Sequence, residues 1–319
     1  MVHHSAAKIT TAKQLKKIFN MAASLRPLFL AIIPLLMISS LIRSSECQGL
    51  GFYWASPEDG NLADICNDHT NGSYEYVAIA CLNFTGAISV PPYCTTLGPD
   101  IDICQGLGIK VFLSLVGSPD LSPEYVLGTE GFICNEFLND SSGPSVLGAT
   151  VNGTDFHFRS GSNNSLDLLA QALRDNCILD DKKVYLSAAP LCKIPDYYLD
   201  AAINTGVFDY VWVQFFGDPS CEFVPGEVYL IALAWYSHLG KYNTTLFLGL
   251  TGDSAAEGFI PCPKLRVILS WLERFPKSGG IMMLEGKYYC PPSSEKIRSY
   301  VNSGVLAYGK KSMNKFQAI

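Results

Sequence analysis

Charge is sparse in this sequence. Charged residues fill 16% of its 319 positions, and acidic ones outnumber basic ones 29 to 23, for a net charge of −6. That balance excludes nucleic acid as a partner, because phosphate binding needs a cationic face. Long apolar runs are missing too. No stretch reaches the roughly 20 residues of a spanning helix, which excludes an integral helical bundle. There are five histidines. His157 shares its strand with no second His or Cys at ligand spacing, so the sequence offers no metal centre and implies no cofactor. Neither a linker nor an internal repeat is visible. Apolar residues are plentiful: 48% of the chain is hydrophobic and 12% aromatic. That is too apolar for a disordered chain and enough for one large core.

The N-terminal segment reads differently from the rest. Residues 1–20 are polar and basic, with Lys8, Lys13, Lys16 and Lys17, and an apolar run follows from Leu28 to Ile42. Pro34, Ser39 and Ser40 interrupt it, as befits the hydrophobic region of a secretory signal peptide rather than a span. Small residues at Ser45 and Cys47 place cleavage after Cys47, and Met21 is the more usual start for so short a leader; an uncleaved anchor is the alternative. Residues 1–47 carry six basic residues and one acidic residue, so the remainder has 17 basic against 28 acidic and a net charge of −11. Ten of the 11 cysteines lie after the cleavage point. Six sequons, at Asn71, Asn83, Asn139, Asn152, Asn163 and Asn243, agree with a secretory route. The expected location is extracellular or cell wall, with the vacuole as another destination, and no membrane attachment after cleavage.

From residue 48 onward, short apolar runs recur: Leu50–Trp54, Tyr76–Leu82, Lys110–Gly117, Ala149–Phe158, Lys183–Pro190, Tyr210–Phe216, Thr245–Thr251 and Gly279–Glu285. Most are continuous rather than alternating, the mark of parallel strands buried on both faces. Helical spacing fills several gaps, most clearly Leu166–Asn176, Val228–Leu239 and Leu265–Phe275. Eight strands with intervening helices predict an α/β fold, a single-domain (β/α)₈ TIM barrel over residues 48–305, with a tail at 306–319. An open doubly wound sheet is the alternative. Pro57–Tyr74 and Gly86–Pro99 read as loops. Function in such a barrel sits at the carboxyl ends of the strands. Those ends carry Tyr53, Asn83, Asp155, His157, Arg159, Gln214, Phe216, Asp253 and Glu285, a polar and aromatic rim suited to a sugar. Trp54 and Trp212 fit either the rim or the core.

Three segments tie the chain to a known family: Gly108–Leu115 (GIKVFLSL), Lys183–Pro190 (KVYLSAAP) and Asn204–Phe215 (NTGVFDYVWVQF), with Gly279–Leu284 (GGIMML) closing the set. Their order and content resemble the family 18 glycoside hydrolases, specifically the plant class III chitinases and their chitinase-like relatives, from about Gly49 to Val301. The resemblance implies a fourth strand of the form Asp-Gly-x-Asp-x-Asp-x-Glu, whose glutamic acid protonates the glycosidic oxygen while the substrate acetamide attacks. Here that stretch is Asn152-Gly153-Thr154-Asp155-Phe156-His157-Phe158-Arg159. Only Gly153 and Asp155 keep the pattern. Arg159 stands at the acid, and His157 at the aspartate that orients the acetamide. Leu284 replaces the family's pocket-floor tryptophan and Phe216 its tyrosine, while Tyr53 and Gln214 match.

Arginine stays protonated far above neutral pH and cannot serve as a general acid. The resemblance therefore implies a sugar-site scaffold with no intact catalytic set, its degenerate positions being Asn152, Asp155, His157 and Arg159. Tyr53, Asp155, Gln214, Phe216 and Glu285 are the candidate carbohydrate contacts, and Arg159 is expected to pair with Asp155, His157 or Glu285. By the same resemblance, Cys66 bonds Cys104 and Cys192 bonds Cys221, while the family partner of Cys94 is absent. Cys81, Cys134 and Cys177 read as small buried thiols, and a Cys262–Cys290 bond stays open. The expected protein is a monomer that binds a glycosidase, as xylanase inhibitors of this type do, or a chitin-like or other glycan. A storage role and hydrolysis of chitin-like polysaccharide by other chemistry are the alternatives.

Overall fold

The computed structural model describes residues 49–285 except 69–73, 86–87, 140–144, 178–182, 222–226, 273 and 276, and except the side chains of Cys262 and Glu285. Eight parallel strands close into a barrel in chain order, with β8 pairing back onto β1. They are β1 (Gly49–Trp54), β2 (Tyr76–Asn83), β3 (Lys110–Gly117), β4 (Gly153–Phe158), β5 (Tyr185–Ala188), β6 (Tyr210–Gln214), β7 (Thr245–Thr251) and β8 (Ser278–Glu285). Helices alternate with them: α1 (Leu62–Asn67), α2 (Gly98–Gly106), α3 (Pro123–Ile133), α4 (Leu166–Asn176), α5 (Asp200–Ile203), α6 (Glu227–Leu239) and α7 (Cys262–Leu272). This is the (β/α)₈ barrel that the apolar runs predict. Among the described residues no helix is long and apolar enough to cross a membrane.

Strand alternation divides the apolar side chains into two cores. Tyr76, Ala78, Phe112, Trp212, Phe247 and Met282 fill the barrel interior. Val77, Ile79, Val111, Leu113, Phe156 and Phe158 face outward onto the helices. Packing inside is close enough to dictate a glycine: a Cβ on Gly153 would collide with the Tyr185 carbonyl of the neighbouring strand. Trp54 and Trp212 both belong to the core, 2% and 0% exposed. At the amino-terminal end, Arg174 of α4 bonds the Val184 carbonyl at 2.8 Å and the Asp209 carboxylate at 2.7 Å, tying α4 to the starts of β5 and β6.

Several boundaries differ from the sequence reading. β4 begins at Gly153 rather than Ala149, because the Asn152 side chain caps the preceding strand, its Oδ1 accepting from Val111 N at 2.8 Å. The segment read as a loop before Tyr74 contains α1, started by Asn61, whose Oδ1 accepts from Asp64 N at 2.9 Å. Likewise α2 begins inside the second presumed loop.

The cysteines need a larger correction. Cys66–Cys104 and Cys192–Cys221 are bonded as the resemblance implies. Cys81–Cys94 and Cys134–Cys177 are disulfides too, not buried thiols, so Cys94 does have a partner. A register shift between Ile79 and Leu82 places both Cys81 and Leu82 against the outer core, facing the short turn that carries Cys94. Cys177 ends α4 beside the residue that follows α3, which brings it to Cys134. The Cys262–Cys290 pairing lies outside the described residues.

Candidate functional site

The mouth of the barrel is organised around β4, where Thr154, Phe156 and Phe158 point away from the barrel axis and Asp155 and His157 point in. Asp155 stands in register with Ser114 of β3 and Ser187 of β5. Its Oδ1 accepts from Trp212 Nε1 and Ser187 Oγ, both at 2.7 Å. Its Oδ2 accepts from Ser114 Oγ at 2.8 Å and from the Tyr53 hydroxyl. Four neutral donors from β1, β3, β5 and β6 thus use all four lone-pair sites of the carboxylate. The residue is completely buried, and burial pushes its carboxyl above the ordinary range although all four bonds pull the other way. The Tyr53 phenol is pushed up as well, first by burial and then by Asp155.

One step outward, the His157 ring meets the edge of Tyr53 with centroids 4.9 Å apart. Burial, and then the Arg159 charge, push the imidazole down to about 3, so it is neutral near pH 7. Its Nδ1 is buried with no hydrogen-bond partner among the described residues, and the same holds for Oε1 of the completely buried Gln214. The Gln214 amide nitrogen donates to the Ala189 carbonyl at 2.6 Å. Arg159 is exposed just past β4, its guanidinium carbon 5.3 Å from the centre of the Phe216 ring. Gly217, at φ +76°, leaves room for it: a Cβ there would lie 3.1 Å from Nη1. Phe216 and Leu284 are buried beneath the mouth.

Of the sequence candidates, Tyr53, Asp155, His157, Gln214 and Phe216 do converge on one end of the barrel. Asn152 does not, since it serves the amino-terminal end. Asp155 and Gln214 have no surface left to offer a ligand, and Phe216 lies beneath the Arg159 cation. Asp253 is exposed and accepts from Ala255 N at 2.8 Å. The expected Arg159–Asp155 pair is displaced by the four neutral donors; the Glu285 side chain lies outside the described residues. Sequence reading missed Ser114, Ser187 and Trp212 as partners of Asp155. The signal was there: a serine in an otherwise apolar buried strand must find a buried partner.

Chemically, none of the three inward or exposed polar side chains described on the β4 row, Asp155, His157 and Arg159, is suited to hand a proton to a ligand near neutrality. Arg159 keeps its proton, the neutral His157 ring has only an N–H that is too weak an acid, and Asp155 is sealed from the surface.

A chickpea (Cicer arietinum) protein, an acidic endochitinase, is 39% identical over 275 residues, covering 79% of this chain and 92% of its own. The chain belongs to the plant class III chitinase family of family 18 glycoside hydrolases. No family model matches it. Among solved structures, the tamarind chitinase-like lectin superposes with a TM-score of 0.65 at 25% identity, covering 75% of this chain and 94% of its own. The xylanase and α-amylase inhibitor protein XAIP-II of Scadoxus multiflorus gives 0.64 at 29% identity, with 75% and 93% covered. The class III chitinase fold thus reaches this chain alongside an endochitinase, a lectin and an inhibitor, and only its own side chains separate those roles.

Proposed function

We propose that this chain is a secreted, catalytically silent class III chitinase homologue that acts by binding, foremost as an inhibitor of a glycosidase of the xylanase type. The observation that carries the silence is the β4 row: a sealed aspartate, a neutral histidine and an exposed arginine in place of an acidic row. The likeness to the Scadoxus inhibitor supports the protein partner. So does the crowding of the mouth by Phe216 and Leu284, which turns recognition toward the outer surface. Residues 1–47 as leader, 48–305 as barrel and 306–319 as tail complete the reading, and four disulfides suit an oxidising compartment.

A lectin is the second reading. It is favoured by the unpartnered His157 Nδ1 at the mouth, and by a cleft of about 340 Å³ between the starts of α3 and α4, lined by Asp120, Ser122, Asn164 and Ser165 among others.

The test is an assay on chitin oligomers from acid to neutral pH, run beside inhibition assays on microbial xylanases and a glycan array. No turnover is expected, because the missing acid alone removes a factor of about 10²–10⁴. Restoring His157→Asp and Arg159→Glu together should return little, since Leu284 and Phe216 remain. Turnover above a contaminant control that disappears in an Asp155 variant would sink the proposal. Xylanase inhibition supports the first reading, and glycan binding without inhibition supports the second.

A further inference from the structure

Away from the mouth, one buried acid has no role in anything described so far. Glu130 lies on the inner face of α3 and is 7% exposed. Its carboxylate Oε1 sits 3.1 Å from Cys134 Sγ and 4.0 Å from Cys177 Sγ, and no other partner of it is found among the described residues. Burying a carboxylate is expensive unless something compensates it. A disulfide sulfur carries no proton, so the Cys134–Cys177 bridge gives this carboxylate no donor. In the reduced state the sulfurs could instead donate to it as thiols, or share a cation with it as thiolates.

We propose that Glu130, Cys134 and Cys177 form a redox-gated site for a thiophilic divalent cation of the Zn²⁺ type. The three ligand atoms lie within 4.8 Å of one another and all three residues are buried. Glu130 and Cys134 are four residues apart, one turn on the same face, and Cys177 approaches from the end of α4. Zinc bound to sulfur at about 2.3 Å and to oxygen at about 2.1 Å separates tetrahedral ligands by about 3.5–3.8 Å. The two sulfur–oxygen distances straddle that value, so only the sulfurs must part. The steps balance. A dithiol or phosphine reductant supplies two electrons, the S–S bond breaks, and two thiols form. The cation then displaces both thiol protons, binds two thiolates and the carboxylate, and keeps a fourth position for water. A two-electron oxidant re-forms the bridge and expels the metal. Nothing in this depends on what the barrel mouth binds.

The test uses the full-length protein, reduced with a phosphine and treated with iodoacetamide, with or without one equivalent of Zn²⁺, followed by peptide mapping. Zinc should slow alkylation of Cys134 and Cys177 by on the order of tenfold or more, spare the cysteines of the other three bridges no more than a chelated control does, and lose most of this effect in Glu130→Gln. Equal alkylation with and without zinc, or the same protection in Glu130→Gln, would overturn the proposal. A second readout needs no variant: zinc should slow peroxide-driven re-formation of the Cys134–Cys177 bridge in the wild-type chain, and an unchanged rate counts against the site.

Discussion

Asp155 keeps one aspartate of the fourth-strand pattern that the family resemblance implies, in the surroundings of a structural residue. Its role can be read from how two substitutions differ. In Asp155→Asn the amide oxygen can keep Trp212 and Ser187, whose bonds to Oδ1 are both 2.7 Å. The new NH₂ then faces Ser114 and Tyr53, and a hydroxyl can turn from donor to acceptor. The cost should be about 1 kcal/mol. Asp155→Ala leaves four buried donors with no acceptor, and should cost about 3–5 kcal/mol. Urea unfolding of the two variants against wild type checks this. Equal losses would mean that the charge, rather than the donor geometry, holds the mouth together.

At the scale of elements, strands and long helices were legible because burial on both faces writes a continuous apolar run. Thr245–Thr251 and Leu166–Asn176 match residue for residue. The bridges at Cys81 and Cys134 were not legible, because a disulfide depends on where two elements meet in space. Cys81 sits inside an apolar strand, and only the register shift in β2 turns it and Leu82 together toward the outer core. Cys94 sits in a 3₁₀ turn, Pro92–Thr96, which composition alone reads as loop. The site shows the same split. The row Asp155, His157, Arg159 on β4 is visible in the sequence, whereas the sealing of Asp155 by Ser114, Ser187 and Trp212 needs three other strands. The Cys81–Cys94 bridge closes a separation of 13 residues and pins the turn that precedes α2 onto the sheet. Replacing both cysteines by alanine should cost about 2–3 kcal/mol, measured by thermal unfolding without reductant. No loss would show that packing alone holds the turn.

For the whole molecule, the two ends of the barrel have different duties, and the sequons report on them. Asn152 works at the amino-terminal end: its Oδ1 accepts from Val111 N at 2.8 Å and Gln105 Nε2 at 3.1 Å. The Asn163 amide nitrogen, the atom a glycan would take, donates to the Tyr197 carbonyl at 2.8 Å. The Asn83 Oδ1 accepts from Thr85 N at 2.8 Å, and there is no room beside it, since a Cβ on Gly117 would lie 2.5 Å away. Asn243 is different. It is exposed in the connection from α6 to β7, far along the chain from the mouth residues of β4. Glycan addition needs an accessible asparagine in a surface loop. If the chain takes the secretory route that residues 1–47 imply, Asn243 should carry a glycan and Asn152 should not. Enzymatic deglycosylation in heavy-oxygen water, followed by peptide mass mapping of protein from a plant secretory host, reads each position separately. Occupied Asn152 with bare Asn243 would contradict the surface argument. A protein without any glycan, retained inside the cell, would remove the secretory reading itself.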